Sequence, residues 1–393
     1  MNADNLQPKQ HEEEIRQLKE VNKTLETQLR EERALDKKAI KAQLALNEQM
    51  THLRARNGFL ESQATKLYGQ IGEQQEIALA IRESVPALEP LPPVSFSGGG
   101  RAEATMAAAA QFSDWHISER IEANQTEGLG VFNWAIAQQR ADYITQKIIG
   151  GVEAHRLAFK VPTLHILAEG DFVSGDIHEE LRRTNEFDQP VASILAGELL
   201  ARQVATLAPH FDEIHVHEIG SDNHGRLQAK PQFKNKSMNS WNFVVYSMAN
   251  ALLKDHKNVV THLYPGIKEL VDINGIKFLA EHGDTIKAWM GIPYYGIERH
   301  RGKEATRRMQ AMLDSKRQEE WQRFQEEYGF DYFACGHWHV AGIISGNILV
   351  NGSLSGTSEF DHGCGRYAKP TQTSFYIHPK YKLFDWTPWT PKI

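Results

Sequence analysis

Cys335-Gly336-His337-Trp338-His339 closes a short apolar run, Tyr332 to Cys335, with two imidazoles two residues apart. The run reads as a buried strand, so the imidazoles fall where the strand ends. Layered α/β proteins bind their ligands at strand ends of this kind. Working back along the chain, four more apolar runs end in the same manner. Phe278-Leu279-Ala280-Glu281-His282-Gly283-Asp284 ends in a histidine, and Ile219-Gly220-Ser221-Asp222-Asn223-His224-Gly225 in an amide and an imidazole. Ala168-Glu169-Gly170-Asp171 ends in a carboxylate, after a glycine that permits a tight exit. Phe112-Ser113-Asp114-Trp115-His116 sets an Asp and a His two apart, on one side of an extended chain.

Between these segments helices alternate with strands. Phe132 to Leu157, Val191 to Leu207 and Trp241 to Leu253 carry helical spacing, and Val161 to Ala168 and Ile214 to Ile219 read as strands. Ile273-Asn274-Gly275-Ile276 has the signature of a type I′ hairpin. Lys303 to Tyr328 reads as a long helix stopped at Gly329, and Ser345-Gly346-Asn347 as a tight turn between two more strands. This order predicts an α/β or α+β layered domain over 111–393.

The first 110 residues differ. An unbroken heptad register runs from Ile15 to Ile81, and 14 of its 20 a and d positions are apolar. Such a stripe needs a partner helix to cover it, so residues 1–85 are expected to form a coiled coil that makes a homo-oligomer. Asn22 and Asn57 at a positions favour an in-register dimer, with a weak middle at Glu32, Asp36 and Gln43. The rival is an amphipathic helix folded back on the globular part. Pro86, Pro90, Pro92 and Pro93 stop the helix, Gly98-Gly99-Gly100 adds a joint, and Ala104 to Ala110 is featureless, so 86–110 reads as a linker.

Composition narrows the chemistry. With 393 residues, 41% hydrophobic and 9% aromatic, the chain supports a large core. Two cysteines exclude a disulfide scaffold and a thiolate zinc module. No apolar run reaches the roughly 20 residues of a membrane span, and the start is polar, so no membrane association is expected. With no organelle address, a cytoplasmic setting is the default. The net charge of −6 argues against wholesale polybasic binding to nucleic acid. Mixed carboxylate, amide and imidazole donors suit manganese, iron or zinc better than calcium or magnesium. The candidates exceed what one tetrahedral ion needs. They fit two ions about 3.5–4 Å apart that share a bridging carboxylate and activate a water against a phosphoryl group.

In this order, Asp-x-His, Gly-Asp, Asn-His, a lone His and Gly-His-x-His resemble the calcineurin-like metallophosphoesterases, which include the nuclease subunits of double-strand-break repair complexes. The resemblance covers 111–377 and none of the N-terminal helix. It implies a fold of two packed β-sheets flanked by helices, and two divalent ions with manganese favoured over iron or zinc. It further implies that Asp114, His116 and His339 bind one ion, that Asn223, His282 and His337 bind the other, and that Asp171 bridges. His224 would be the general acid or would stabilise the leaving-group oxygen. The family's third motif usually continues with a carboxylate, whereas Gly225 follows His224 here, so Asp222 or another residue must orient that histidine. The intervals are long: 57 residues from Asp114 to Asp171 and 52 more to Asn223. The serine/threonine protein phosphatase motif is absent, since the segment reads Gly170-Asp171-Phe172-Val173-Ser174-Gly175-Asp176.

The expected function is therefore hydrolysis of a phosphodiester, with DNA favoured as substrate. A nucleotide or small-molecule phosphodiesterase or phosphatase is the alternative, and a non-catalytic coiled-coil scaffold is the rival from another class. Asp176 and His178 form a further Asp-x-His and, with Asp222, are expected beside the ligands or the substrate. Lys230, Arg299 and Arg301 lead two basic clusters suited to holding phosphates, although the chain from Gln111 carries 30 Lys and Arg against 34 Asp and Glu. His215 and His217, two apart on a strand, could mimic ligands but are expected as partly buried polar residues on the face opposite Ile214 and Val216, and His262 is expected to have no role. The aromatic run from Phe375 to Trp389 is expected as a covering strand more than as a base-stacking surface.

Overall fold

The computed structural model describes residues 7–93, 105–228, 230–288, 293–314 and 329–392. The chain forms two compact units, 1–70 and 71–393.

The first unit is helical, the leading part of α1 (Gln7–Ser84). Apolar seam residues along it, among them Leu18, Leu25, Leu46, Leu53 and Leu60, are more than half exposed.

The second unit begins with the last turns of α1. Gln74, Ala78 and Ile81 are buried there, and Ile77, Val85 and Leu88 pack on the main core. Leu88 N–H also donates to Leu252 O at 2.7 Å. The last seam positions of the expected coiled coil are thus covered within the chain itself, as the folded-back rival would have them.

The linker expected over 86–110 ends too late. Thr105–Phe112 is β1, a central strand, and the triple glycine lies outside the described residues. Met106 to Ala110 lacks the branched residues that announce a strand. It needs them less because both its faces are crowded. Met106, Ala108 and Ala110 face one core and Ala107 and Ala109 another, all at most 2% exposed. Small side chains let both neighbouring layers approach closely.

The remaining elements are α2 (Trp134–Arg156), β2 (Lys160–Ala168), α3 (Glu179–Thr184), α4 (Gln189–Leu207), β3 (Glu213–Ile219), α5 (Trp241–Leu253), β4 (Val259–Tyr264), β5 (Lys268–Ile273) and β6 (Ile276–Glu281). There follow α6 (Pro293–Asp314), β7 (Tyr332–Cys335), β8 (Gly342–Ile344), β9 (Ile348–Val350), α7 (Glu359–Gly363), β10 (Gln372–His378) and β11 (Lys382–Trp389). The helix expected to run to Tyr328 is described only to Asp314, and 315–328 lie outside the described residues.

The protein is α+β, with two mixed sheets. One runs β11-β10-β1-β2-β3-β4, parallel from β1 to β4, and the other β5-β6-β7-β9-β8. Helices α2, α4 and α5 cover the first sheet, the two sheets pack face to face, and Ile297 of α6 joins the core on the outer side of the second. The hairpin between β5 and β6 forms as expected, with Ile273 opposite Ile276 and both turn residues at positive φ.

One helical stretch, Gln189–His210, is long and apolar enough to cross a membrane by length and composition alone, which the sequence reading did not anticipate. It is 61% buried, and Ala192, Ala196, Leu199, Leu200 and Val204 lie in the main core, the pattern of an internal helix. The C-terminal aromatics behave as a cover. Phe375 and Tyr376 are buried, and Phe384, Trp386 and Trp389 pack on the cores.

Candidate metal centre

Parallel strands leave their carboxyl ends on one side, and five segments meet there. The turn after β1 runs beside the exit of β2: Asp114 N–H donates to Gly170 O at 3.1 Å, and His116 N–H to Asp171 O at 3.1 Å. The backbone is forced at these positions. Asp114, His116, Asp171, His337 and His339 all adopt positive φ, between 49° and 67°. Residues other than glycine rarely enter this left-handed region, and such strain concentrates at functional sites. Here it turns successive side chains inward at the end of each strand.

Three groups of donor atoms result. Asp114, His116 and His339 form one, Asp171, His282 and His337 a second, and His116, Asp171 and His224 a third, with ligand atoms within 4.8 Å of one another in each. Asp171 belongs to two groups, as a bridging carboxylate must. Asn223 joins the second through Oδ1, which lies 3.0 Å from His282 Nε2. All eight residues expected at the centre are therefore brought together.

The donor chemistry fits divalent cations. His116 Nε2 and His339 Nε2 face each other at 3.1 Å, and His339 Nε2 lies 3.4 Å from Asp114 Oδ1. Asp171 Oδ2 is buried without a hydrogen-bond donor, although His282 Nε2 stands 2.9 Å away. Two buried carboxylates with four imidazoles around them make a donor set that a divalent cation can bridge in place of the imidazole protons.

Electrostatics point the same way. Burial pushes the Asp171 carboxyl up, but the His282 and His224 imidazoles overcome it and hold it well below the usual range. Asp114 is likewise lowered, burial being outweighed by His339 and His282. Burial, with His224 and His339 nearby, drives His116 well down, and burial with His282 brings His337 to about 4, so both imidazoles stay neutral. Against burial, hydrogen bonding to Asp114 and Asp361 raises His339 to about 10. Metal ligation needs carboxylates ionised and imidazoles unprotonated; His339, and His282, which Asp171 holds well above 6.5 against burial, meet that demand only when a cation displaces their protons.

The orienter missing after His224 is a backbone carbonyl. His224 Nδ1 lies 2.6 Å from Ser174 O, to which it donates, so Nε2 is the free nitrogen. The His224 N–H donates to Asp171 Oδ1 at 2.9 Å, and the ring stands at 89° to that of His116. A carbonyl leaves no mark in a sequence, which is why this partner was missed. Asp222 has a different task. It is buried, raised to about 8 by burial and by Asp171, and accepts from Asp171 N–H at 2.9 Å and Ser240 Oγ at 3.1 Å. It positions the loop and does not touch the His224 ring.

Two further supports were not anticipated. Gln372 of β10 clamps the β1 exit: its Oε1 accepts from Ser113 N at 3.0 Å and Trp115 Nε1 at 3.1 Å, and its amide donates to Ser113 O at 2.9 Å. Gly336 is fixed by space, since a Cβ there would lie 2.2 Å from Asp114 Oδ2. That approach lets His337 N–H donate to both Asp114 oxygens, at 2.9 and 3.0 Å.

The outlying candidates are not gathered in. Asp176, His178 and Lys230 are exposed, the His178 ring standing 6.2 Å from that of His224. Arg299 is exposed beside Lys287, His300 and Lys303, which line a shallow pocket with it. Arg301 stacks on Phe330 at 5.8 Å, whereas Arg307, paired with Glu304 at 3.0 Å, stays exposed.

No family model and no curated protein matches the chain. Among solved structures it is similar to Vps29 of Entamoeba histolytica complexed with zinc, at 12% identity and a TM-score of 0.25, over 72% of this chain and 98% of that one. It is similar to Vps29 of Cryptosporidium parvum, at 11% identity and a TM-score of 0.26, over 73% and 100%. A protein from Streptococcus pneumoniae described as a predicted phosphoesterase is similar at 8% identity and a TM-score of 0.22, over 50% and 91%. These likenesses are distant, and neither the zinc of the first nor the activity ascribed to the third transfers to this chain.

Proposed function

We propose that this protein is a metal-dependent phosphoesterase of the calcineurin-like kind, with two divalent ions held by Asp114, His116, His339 and Asp171 on one side and Asp171, Asn223, His282 and His337 on the other. The observation that carries the reading is the sharing of Asp171 between two clusters assembled from strand ends far apart in sequence. When bound, a pair of divalent ions supplies Lewis acidity toward a phosphoryl oxygen and lowers the pKa of a water. The chain's own residues do the rest. His224, tethered through Nδ1 to Ser174 O and grouped with His116 and Asp171, takes a proton from solvent on Nε2 and gives it to the leaving oxygen. Asp222 and Gln372 hold the two loops that carry Asp171 and Asp114.

The substrate we favour is a phosphodiester, with DNA the version read from the sequence. The exposed Lys230, Lys287, Arg299 and Lys303 support it as phosphate contacts. The stacking of Arg301 on Phe330, in a globular region (111–393) with fewer basic than acidic residues, favours the second reading, a nucleotide or other small phosphodiester. Manganese is the ion of first choice, with iron or zinc as alternatives. The exposed seam of α1 supports homo-oligomerisation through a coiled coil. Leu25→Asp with Leu53→Asp should then lower the mass in sedimentation equilibrium and leave hydrolysis per chain unchanged; an unchanged mass contradicts the coiled coil.

Wild type, His224→Ala and Asp171→Asn are to be assayed with Mn²⁺ on bis(p-nitrophenyl) phosphate, single-stranded DNA and duplex DNA. His224→Ala should lower kcat by about 100-fold or more, with manganese still bound, and Asp171→Asn should lose both. Binding of metal without cleavage of any of the three removes the DNA reading in favour of a narrow small-molecule substrate. Failure to bind metal leaves a scaffold.

A further inference from the structure

A second histidine cluster lies away from the strand ends. Register sets His165 of β2 beside His215 of β3, and His217 of β3 beside His262 of β4. They share the sheet face on which Leu167 and Ile219 enter the core between the sheets. His217 is buried and the other three are half-buried. The rings are nearly parallel, His165 and His215 at 4.8 Å and 21°, His217 and His262 at 5.0 Å and 9°. Edge to edge, His165 Nδ1 lies 3.1 Å from His217 Nε2, and His215 Nδ1 lies 3.1 Å from His262 Nε2.

The outer nitrogens decide what the inner ones offer. His215 Nε2 lies 3.1 Å from Glu213 Oε2, and His217 Nδ1 lies 3.0 Å from Tyr264 Oη. An imidazole that donates through one nitrogen presents a lone pair at the other. The Glu213 carboxylate can only accept, so His215 donates through Nε2 and turns the lone pair of Nδ1 toward His262; Tyr264 can donate or accept and leaves the His217 tautomer open. Metal-binding histidines are held as His215 is, with a carboxylate fixing the tautomer from behind. Burial and neighbouring imidazoles also lower His165, His217 and His262 below the ordinary imidazole range.

We propose that this array is a second, separate metal site, taking one transition-metal ion of the zinc, copper or nickel class with His215 and His262 as principal ligands. That pair has a carboxylate behind it and lies toward β4, the edge strand, where water can complete the coordination. An all-nitrogen donor pair discriminates against magnesium, calcium and manganese. The stacking of the two pairs about 5 Å apart allows one dication and disfavours two. With two protein ligands the site binds more weakly than a closed four-ligand site. The site stands or falls independently of the phosphoesterase reading.

The test titrates the full chain with Zn²⁺ alone and with Cu²⁺ alone, counting bound equivalents by equilibrium dialysis and recording the copper EPR spectrum. His215→Gln with His262→Gln should lose about one equivalent of either ion and its nitrogen hyperfine pattern, while Mn²⁺-dependent hydrolysis stays as in wild type. Asp114→Asn with His282→Gln, at the strand ends, should keep that equivalent. Equal equivalents in wild type and the array variant overturn the proposal, whatever the strand-end variant does. Should circular dichroism show the array variant unfolded, His262→Asn on the edge strand replaces it. An affinity at least about tenfold weaker for the same equivalent supports the site, and an unchanged affinity overturns it.

Discussion

Two histidine clusters sit in one globular unit and are built on opposite plans. At the strand ends, imidazoles are interleaved with the carboxylates of Asp114 and Asp171, on backbone held at positive φ. On the inner face of β2, β3 and β4, four imidazoles lie on regular extended strands, and Glu213 stands behind one of them. The first plan concentrates negative charge and strain, which suits hard or borderline cations and a reaction at phosphorus. The second lies on ordinary extended backbone and offers nitrogen donors, with one carboxylate behind them. Histidine count does not separate the two. The intervening carboxylates and the shape of the backbone do.

The largest effect should separate them by activity. Asp171→Asn should reduce Mn²⁺-dependent hydrolysis of bis(p-nitrophenyl) phosphate to background, whereas His215→Gln with His262→Gln should leave kcat within about twofold, as substitutions that touch no reacting group do. Equal losses in the two variants would erase the distinction between the clusters.

Next in size is the geometry of the strand-end cluster. Gly336→Ala places a Cβ against Asp114 Oδ2 and must displace that carboxylate. Manganese affinity, measured by titration, should fall by about 10- to 100-fold with the fold intact. Unchanged affinity would show that Asp114 does not hold the ion.

The smallest effect belongs to the array, and its sign is set by protonation. Burial and neighbouring imidazoles lower His217 to about 2 and His165 to about 3, against an ordinary 6.5. Below about pH 6.5 the unfolded chain binds protons that the folded chain refuses, so stability is complete above that pH and declines as pH falls toward 3. For the buried His217 the loss reaches about 2 kcal/mol near pH 5; half-buried His165 contributes less because solvent screens it. Urea unfolding of His217→Gln should show a shallower decline between about pH 6.5 and 5 than wild type. Parallel pH profiles would mean that His217 is protonated in the folded state.

How much of this was legible in the sequence follows from what each feature requires. Metal donors must be particular side chains, and strand ends must be apolar runs that stop, so the segments around Asp114, Asp171, Asn223, His282 and His337 announced themselves. The type I′ turn at Asn274-Gly275 was legible because positive φ leaves few choices of residue. Strand β1 was hidden, since Ala107 to Ala110 satisfy crowding on both faces and not strand propensity. The Ser174 carbonyl that holds His224 is backbone and has no residue signature. The imidazole array depends on the register between β2, β3 and β4, which aligns His165 with His215 and His217 with His262. Alternation along β3 alone placed His215 and His217 on the face opposite Ile214, and could go no further. The last turns of α1 carried the same heptad pattern as the rest, and only the globular core beside Ala78 and Ile81 distinguishes them.

The most direct test of the central claim is an anomalous difference map from crystals soaked in Mn²⁺. The account predicts two peaks about 3.5–4 Å apart on either side of the Asp171 carboxylate, one within reach of Asp114, His116 and His339 and the other of Asn223, His282 and His337. A single peak, or density away from Asp171 altogether, would contradict it.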